Sequence, residues 1–445
     1  VYITGLFRGS INFVTYAGIK TLQSLEIYGN DVFIARYDSK TGFDIVEWAI
    51  QLNTTAALHM CKLGPSAHGI TCVCYNIAQS GFSGTITPPN LTSVSFTVGQ
   101  IYMLTMSEFG RALSHNVIPG TLCTVGGMAY ASWNNRMAIC GSFSGSITLG
   151  TTTLTSTVPR LFWAEFGVSS AQTNYTLTWA VVGTADTPAT ISSYALDIKA
   201  EYADTKMSIL VRQDTASNAV YGGITIAETG VSTLIIRLDQ VTGTITHAFS
   251  LANTAAVYAE NLYMDATSGP YYVCGTMTAS STILGQSLTL MGTTDLFVLS
   301  WNPPNTFRWI KQYGGSGVSF AGTGLNSNPP CIIATYAPNT FYDPVAFVSA
   351  SFTGTLTIGN TTFTSSNGND VIYIYLSPTG TENAVYKFGN QYNNLVTGIT
   401  YSYRSNNIFE IYIITSYGMF RTKNNGMQKM IGADNGIYTV VNPGS

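Results

Sequence analysis

Along this chain, segments of five to seven positions contain apolar residues that either alternate with polar ones or follow one another without interruption. Each segment is followed by Gly, Asn, Pro or Ser. A period of two between turn residues is typical of short β-strands. No stretch keeps a helical period over three turns. The pattern therefore predicts an all-β protein.

One strand-and-turn phrase recurs along the chain. DVFIARYDSKTG at 31–42 returns in looser form as DLFVLSWNPP from 295 and DVIYIYLSPTG from 370. Aligned on this phrase, the strand begins about every 68 residues, at Asp31, Gln100, Arg160, Ser232, Asp295 and Asp370. Asp31, Asp295 and Asp370 stand where a loop enters a strand, so we expect them to stabilise turns. A calcium loop over 365–370 is the alternative, although that segment is short of carboxylates.

Two further markers keep the same period. A segment such as GLFRG, GSFSG or ASFTG precedes the strand in most units, and Trp48, Trp179 and Trp309 follow it in alternate units. Aromatic residues that recur at one register are usually packed between repeats. We expect the tryptophans to be such wedges, and the following residues to be buried at equivalent places: Phe7, Phe82, Phe143, Met277 and Phe352.

Each unit reads as four strands. In the third unit these are CTVGGMAYASW, RMAICGSFSGSITLG, LFWAEFGVS and YTLTWAVVG, and turns such as DSKTG at 38–42 and DQVTG at 239–243 join strands three and four. Four strands per repeat of this length predict the blades of a β-propeller. The chain ends with a hairpin around NNG and then GIYTVV. We predict that residues 1–445 form a single closed propeller of seven four-stranded blades, with 437–441 as the innermost strand of the first blade, beside 1–7.

The first, third, fifth and sixth units resemble the SBBP β-propeller repeat. The segments that carry the resemblance are VYITGLFRG, GNDVFIARYDSKTG and EWAIQ, which match that family's VYVTG-x-F strand, its DVFVAKLD strand and its Trp before a closing Gly. The other units keep the apolar pattern and lose most of the signatures. The resemblance implies a propeller in a secreted or cell-surface protein. It supplies no catalytic residues.

Charged residues make up 9% of the chain and the net charge is −3, against about 25% charged residues in a typical domain. Without a basic patch, nucleic acid is not an expected partner. No apolar run reaches the length of a membrane helix, so we expect no membrane insertion. The chain opens with VYITG, which is expected of a chain that has lost a leader or belongs to a longer protein.

Seven cysteines are present. Cys140 and Cys274 occupy the place of Thr4 in the repeat, which predicts a small packed strand site. Cys72 and Cys74 alternate along one strand and share a face. The sequence leaves open whether either forms a disulfide with Cys61, and it predicts no metal site.

No motif for catalysis is apparent. The four histidines, His59, His68, His115 and His247, lie in no GxSxG elbow, and the carboxylates are scattered. We therefore predict no catalytic, cofactor-binding or metal-binding residues. Four Asn-x-Thr sequons predict glycosylation in a secreted protein at Asn53, Asn90, Asn174 and Asn360.

The predicted function is that of a non-enzymatic structural or adhesive module on the outside of a cell, on a virion or on another particle. Its expected partners are other protein subunits or surface glycans. The segment 326–344 looks like an insertion between blades, and its Tyr336, Phe341 and Tyr342 are candidate contacts. Two alternatives stay open: a carbohydrate-binding, lectin-like propeller, and a glycan-active enzyme that uses the central channel.

Overall fold

The computed structural model describes most of the chain. Outside the described part are residues 1, 8, 25–30, 38–44, 55–59, 67–68, 76–83, 98, 132–135, 169–174, 183–190, 202–204, 216–217, 227–229, 265–268, 303–305, 323–328, 337–343, 367, 390–392, 404–408, 417, 424–425, 432–436 and 442–445. Every regular element in the described part is a β-strand, which confirms the all-β prediction. A search of the same residues finds no helix of the length and apolarity needed to cross a membrane.

The chain divides into two compact units, 1–227 with 237–246 and 228–236 with 247–445. The expectation of a single domain over 1–445 stays a prediction, and each unit is described by itself.

An N-terminal sheet opens the first unit. Its order is β1-β4-β5-β2-β3, with the hairpin β8–β9 joined to β5. The strands are β1 (Tyr2–Phe7), β2 (Ser10–Thr15), β3 (Gly18–Gln23), β4 (Asp31–Tyr37), β5 (Val46–Thr54), β8 (Gly84–Thr87) and β9 (Val94–Phe96).

Six further sheets share one plan, in which four strands follow one another in the sheet in the same order as in the chain. We number these blades one to six. Blade one contains β6 (Met60–Ser66), β7 (Gly69–Tyr75), β10 (Ile101–Ser107) and β11 (Ala112–Ile118). Blade two contains β12 (Thr124–Ala131), β13 (Arg136–Leu149), β14 (Thr152–Val168) and β15 (Tyr175–Val182). Blade three contains β16 (Ser192–Glu201), β17 (Lys206–Thr215), β20 (Gly230–Asp239) and β21 (Ile245–Ala252).

Blades four to six follow in the chain. Blade four contains β22 (Val257–Met264), β23 (Tyr271–Met277), β26 (Asp295–Asn302) and β27 (Thr306–Tyr313). Blade five contains β29 (Cys331–Tyr336), β30 (Pro344–Thr353), β33 (Asp370–Leu376) and β34 (Glu382–Gly389), with β28 (Ser319–Phe320) and β39 (Ile437–Val441) at its margins. Blade six contains β35 (Val396–Tyr403), β36 (Phe409–Thr415), β37 (Gly418–Lys423) and β38 (Gly426–Ile431).

The prediction of seven blades and a closed ring is wrong in two respects. The N-terminal sheet has three strands of the repeat, β1, β4 and β5, so the described part of the chain holds six complete four-stranded blades. The predicted closing strand β39 pairs with β34, where Val385 lies opposite Val441, and it does not pair with β1. β34 would otherwise be the free edge of blade five, and β39 covers that edge.

The apolar residues that recur in the repeat occupy equivalent places in the sheets, as predicted. In four sheets a large apolar residue lies directly opposite the residue at which the repeat alignment starts, and all four apolar residues are buried. The pairs are Phe7 with Asp31, Phe143 with Arg160, Met277 with Asp295, and Phe352 with Asp370. The predicted equivalence is confirmed for these residues, and Phe82 lies outside the described residues.

Apolar clusters form the core between successive sheets. In the first unit, one cluster joins Val32 and Ile34 of the N-terminal sheet to Tyr102 and Leu104 of blade one. In the second unit, another joins blades four and five. Cys140 and Cys274 are buried, as the repeat predicted, and burial of the Cys140 thiol raises its pKa.

Most sheets carry a small extra hairpin between the second and third strands of the repeat. These hairpins were not predicted from the sequence. They are β2–β3, β8–β9, the joined ends of β13 and β14, β18 (Ala219–Tyr221) with β19 (Ile224–Ile226), β24 (Ser281–Ile283) with β25 (Gln286–Leu288), and β31 (Thr355–Ile358) with β32 (Thr361–Thr364). In blade five, Leu356 and Phe363 are buried, whereas Thr357 and Thr364 are exposed. Each hairpin therefore buries one face and shows the other to solvent.

Candidate interaction surfaces

The recurring tryptophans pack as wedges between neighbouring sheets. The Trp309 indole, on β27, donates a hydrogen bond of 2.8 Å to the Pro378 carbonyl in the β33–β34 turn of blade five. Trp48, on β5, donates an equally long bond to the Glu108 carbonyl in the β10–β11 turn of blade one. The Trp309 side chain is buried and the Trp48 side chain is half-buried, and both contact the neighbouring sheet. The side chain of Trp179 lies outside the described residues.

A glycine in each of these turns makes room for the indole. Gly380 has a φ of +83°, and a Cβ there would lie 2.8 Å from Cδ2 of Trp309. Gly110 has a φ of +78°, and a Cβ there would lie 2.6 Å from the same atom of Trp48. We call the pair Trp309–Gly380 and the pair Trp48–Gly110 the tryptophan latches.

The repeated aspartates at the start of the third strand are structural. Gln51 donates to Oδ2 of Asp31 over 2.8 Å, and Gln312 donates to Oδ2 of Asp295 over 2.6 Å. Asp295 also accepts the backbone N–H groups of Met291 and Gly292 in the preceding turn. The two backbone bonds confirm the turn interpretation for Asp295.

A calcium ion bound at 365–370 would lie beside Asp370, where a lysine side chain already supplies the positive charge. The Lys387 ammonium lies 2.8 Å from Oδ2 of Asp370, and the Ser366 N–H donates to the same oxygen. Among the residues that the structure describes, no three His, Cys, Asp or Glu side chains are grouped to hold a metal ion.

The described histidines lie on outer strands, as the register predicted. His115 is on β11, and its Nδ1 is 3.4 Å from the Tyr102 hydroxyl. Burial lowers the pKa of His115. His247 is exposed on β21. His59 and His68 lie outside the described residues.

The proposed insertion at 326–344 is in part a strand of the blade, which corrects the prediction. Cys331–Tyr336 forms β29, the first strand of blade five, and pairs with β30 from Cys331 opposite Ser349 to Tyr336 opposite Pro344. Its continuous apolar run CIIA is typical of a strand covered on both faces. Phe341, Tyr342 and the side chain of Tyr336 lie outside the described residues, so their role as contacts stays a prediction.

Three of the four sequon asparagines lie in the described part, and all three are exposed. Asn90, with a φ of +61°, stands in the β8–β9 turn, and Asn360 stands in the β31–β32 turn. Asn53 lies on β5, opposite Thr87. Asn174 lies outside the described residues. The hairpin tips thus offer two of the predicted glycosylation sites to solvent.

The β2–β3 hairpin carries an exposed apolar surface. Val14 and Ile19 lie opposite each other and are 57% and 73% exposed, and Tyr16 in the turn is 59% exposed. On the other face Phe13 is buried, with its ring centroid 5.4 Å from that of Phe33. We call Val14, Tyr16 and Ile19 the hairpin patch.

A second surface feature is a groove in the second unit, with a volume of about 630 Å³. It lies between the end of β21 and the β24–β25 hairpin. All of its lining side chains are uncharged, and more than half carry a hydroxyl group. We call it the hydroxyl groove.

Comparison with known proteins shows distant structural likeness and no family. No family model matches the chain, and no curated protein matches it. The resemblance to the SBBP repeat therefore stays a prediction.

Two solved structures illustrate the likeness. The Dos1 propeller is 8% identical, with a TM-score of 0.39, over 92% of this chain and 90% of the other. A quinohemoprotein alcohol dehydrogenase from Pseudomonas putida HK5 is 11% identical, with a TM-score of 0.36, over 87% of this chain and 60% of the other. Likeness this distant gives no information about activity.

Proposed function

We propose that the protein is a non-enzymatic module on an extracellular or particle surface, and that it associates with further copies of itself through the hairpin patch. The observation that carries the proposal is the exposure of Val14, Tyr16 and Ile19. Three neighbouring large apolar side chains in water are typical of a protein–protein contact. Their burial against another subunit would remove apolar area from water.

The composition supports self-association. With 9% charged residues and a net charge of −3, two copies repel each other weakly. The recurring Trp and Phe residues serve packing, which leaves departures from the repeat as the places for function. The exposed sequons at Asn90 and Asn360 support a secreted or surface location.

Sedimentation velocity over a range of protein concentrations tests the proposal. We expect the wild type to form dimers or larger assemblies and Val14→Ser/Tyr16→Ser/Ile19→Ser to remain monomeric. Phe109→Ser is the matched control, because Phe109 is 79% exposed and belongs to the β10–β11 turn, not to the hairpin. A wild type that stays monomeric at every concentration, or a triple variant that assembles normally, would contradict the proposal.

Carbohydrate binding is the second candidate function. The hydroxyl groove favours it, because its uncharged donors and acceptors suit a neutral polar ligand.

A further inference from the structure

The hydroxyl groove is built from two neighbouring segments of the second unit. One wall is the end of β21 and the residues after it, 250–254, and the other is the β24–β25 hairpin with its flanks, 280–289. The Leu284 N–H donates a hydrogen bond of 2.9 Å to the Leu251 carbonyl, which holds the walls together. The shape of the groove therefore depends on folded strands, and a ligand would meet a preformed surface.

Several polar side chains of the groove have unused hydrogen-bonding capacity. Asn253, Thr282, Ser287 and Thr289 are exposed, and their side chains make no hydrogen bond to the described part of the chain. The Ser250 hydroxyl is buried in the lining and likewise finds no partner there. A hydroxyl group both donates and accepts, so these side chains can pair with a ligand that does the same.

The lining also selects against charged ligands. Among the described residues that line it there is no Lys, Arg, His, Asp or Glu, so a phosphate, sulfate or carboxylate would lose its hydration without gaining a charged partner. Leu251, Leu284 and Leu288 add apolar surface between the hydroxyls. A ring with polar edges and apolar C–H faces matches both kinds of surface.

We infer that the hydroxyl groove binds neutral carbohydrate, with Asn253, Thr282 and Ser287 as hydrogen-bonding residues. The inference rests on the second candidate function, carbohydrate binding, and is independent of self-association through the hairpin patch. The groove is open, and the described residues of its lining include no aromatic side chain for stacking. Affinity for a single sugar is therefore weak.

The test uses the full chain and a panel of neutral methyl glycosides and their oligosaccharides, with a heparin oligosaccharide as the charged comparison. Binding is measured by saturation-transfer NMR and titration calorimetry. We expect at least one neutral glycan to bind and heparin not to bind. Thr282→Val/Ser287→Ala should weaken binding at least tenfold while the melting temperature stays unchanged.

Thr357→Val is the matched control, because Thr357 is an exposed hairpin threonine of blade five outside the groove. It should bind as the wild type does. Absence of binding to every neutral glycan, preference for heparin, or equal binding by the double variant and the wild type would overturn the inference. The sedimentation experiment gives its result in either case, so the two proposals fail separately.

Discussion

Replacing Trp309 with Phe tests whether the tryptophan latch stabilises the contact between blades four and five. The indole is 8% exposed and donates to the Pro378 carbonyl at 2.8 Å. Phe keeps most of the buried ring and removes the donor. The Pro378 residue is half-buried, so water can reach the freed carbonyl. The expected loss of unfolding free energy is the net contribution of one hydrogen bond, about 0.5–1.5 kcal/mol.

Two further variants at the same contact give losses of unfolding free energy with which the effect of Trp309→Phe is compared. Trp309→Ala also removes the ring, and such truncations cost about 3–5 kcal/mol. Gly380→Ala leaves the indole in place but puts a methyl group 2.8 Å from Cδ2 at a φ of +83°. A left-handed backbone costs about 1–2 kcal/mol for a residue with a Cβ, and overpacking adds about 1–3 kcal/mol. We therefore expect Gly380→Ala to cost about 2–5 kcal/mol.

Urea unfolding followed by far-UV circular dichroism measures these differences without relying on tryptophan fluorescence. Trp48→Phe is the matched variant in the first unit, where the half-buried Trp48 makes the same bond to Glu108. It should be destabilising, and by less than Trp309→Phe because water reaches that site more easily. If Trp309→Phe unfolds within about 0.5 kcal/mol of the wild type, the range of ordinary surface substitutions, the latch is not a stabilising contact.

Three further predictions follow from other residues. Phe143→Ala should lower the free energy of unfolding by about 3–5 kcal/mol, because Phe143 is buried in the core of blade two; a loss under 1 kcal/mol in urea unfolding would contradict the shared register. A hydrogen bond from Lys206 is the largest cause that lowers the pKa of Asp239, to about 2, and hydrogen bonds from Thr242 lower it further. The ionised carboxylate therefore contributes its full stabilisation of the fold above the ordinary carboxyl pKa, and this contribution is lost as the pH falls through about 2. Asp239→Asn should then show a shallower fall of melting temperature between about pH 4 and pH 2, and equal slopes for both proteins would argue against this ion pair. Expression in a eukaryotic secretory cell should place N-glycans on Asn90 and Asn360, seen by mass spectrometry after glycosidase treatment, and an unmodified secreted protein would contradict the prediction that these asparagines are glycosylated.

Much of the fold follows from the sequence because each repeat needs the same packing residues. Phe143 and Phe352 appear in one motif since both lie opposite the residue at which the repeat alignment starts, and that register is local. The pairing of β39 with β34 is a long-range choice. The sequence indicates a strand at 437–441, but strand propensity does not say which of several free edges it joins.

The surface was harder to predict. The hairpins between the second and third strands of the repeat are short and leave only a brief sequence pattern. In TLTIGNTTFT, threonine alternates with Leu, Ile and Phe. This alternation indicates a hairpin with one buried apolar face and one exposed hydroxyl face. The prolines and asparagines of 326–344 favour a loop, whereas the apolar run at 331–336 within that segment forms a strand. The hydroxyl groove could not be predicted, since its walls come from hairpin and strand residues that approach each other only in the folded chain.

Hydrogen–deuterium exchange at low and high protein concentration tests the central claim most directly, namely that the repeat builds the blades and that the protein acts through the exposed apolar residues that one of its hairpins carries. We predict that peptides covering residues 10–23, with the hairpin patch, gain protection at high concentration. Peptides of the blade strands around Phe143 and Phe352 should be protected equally at both concentrations. Protection that does not change at 10–23, or that is gained in the blade strands instead, would contradict the claim.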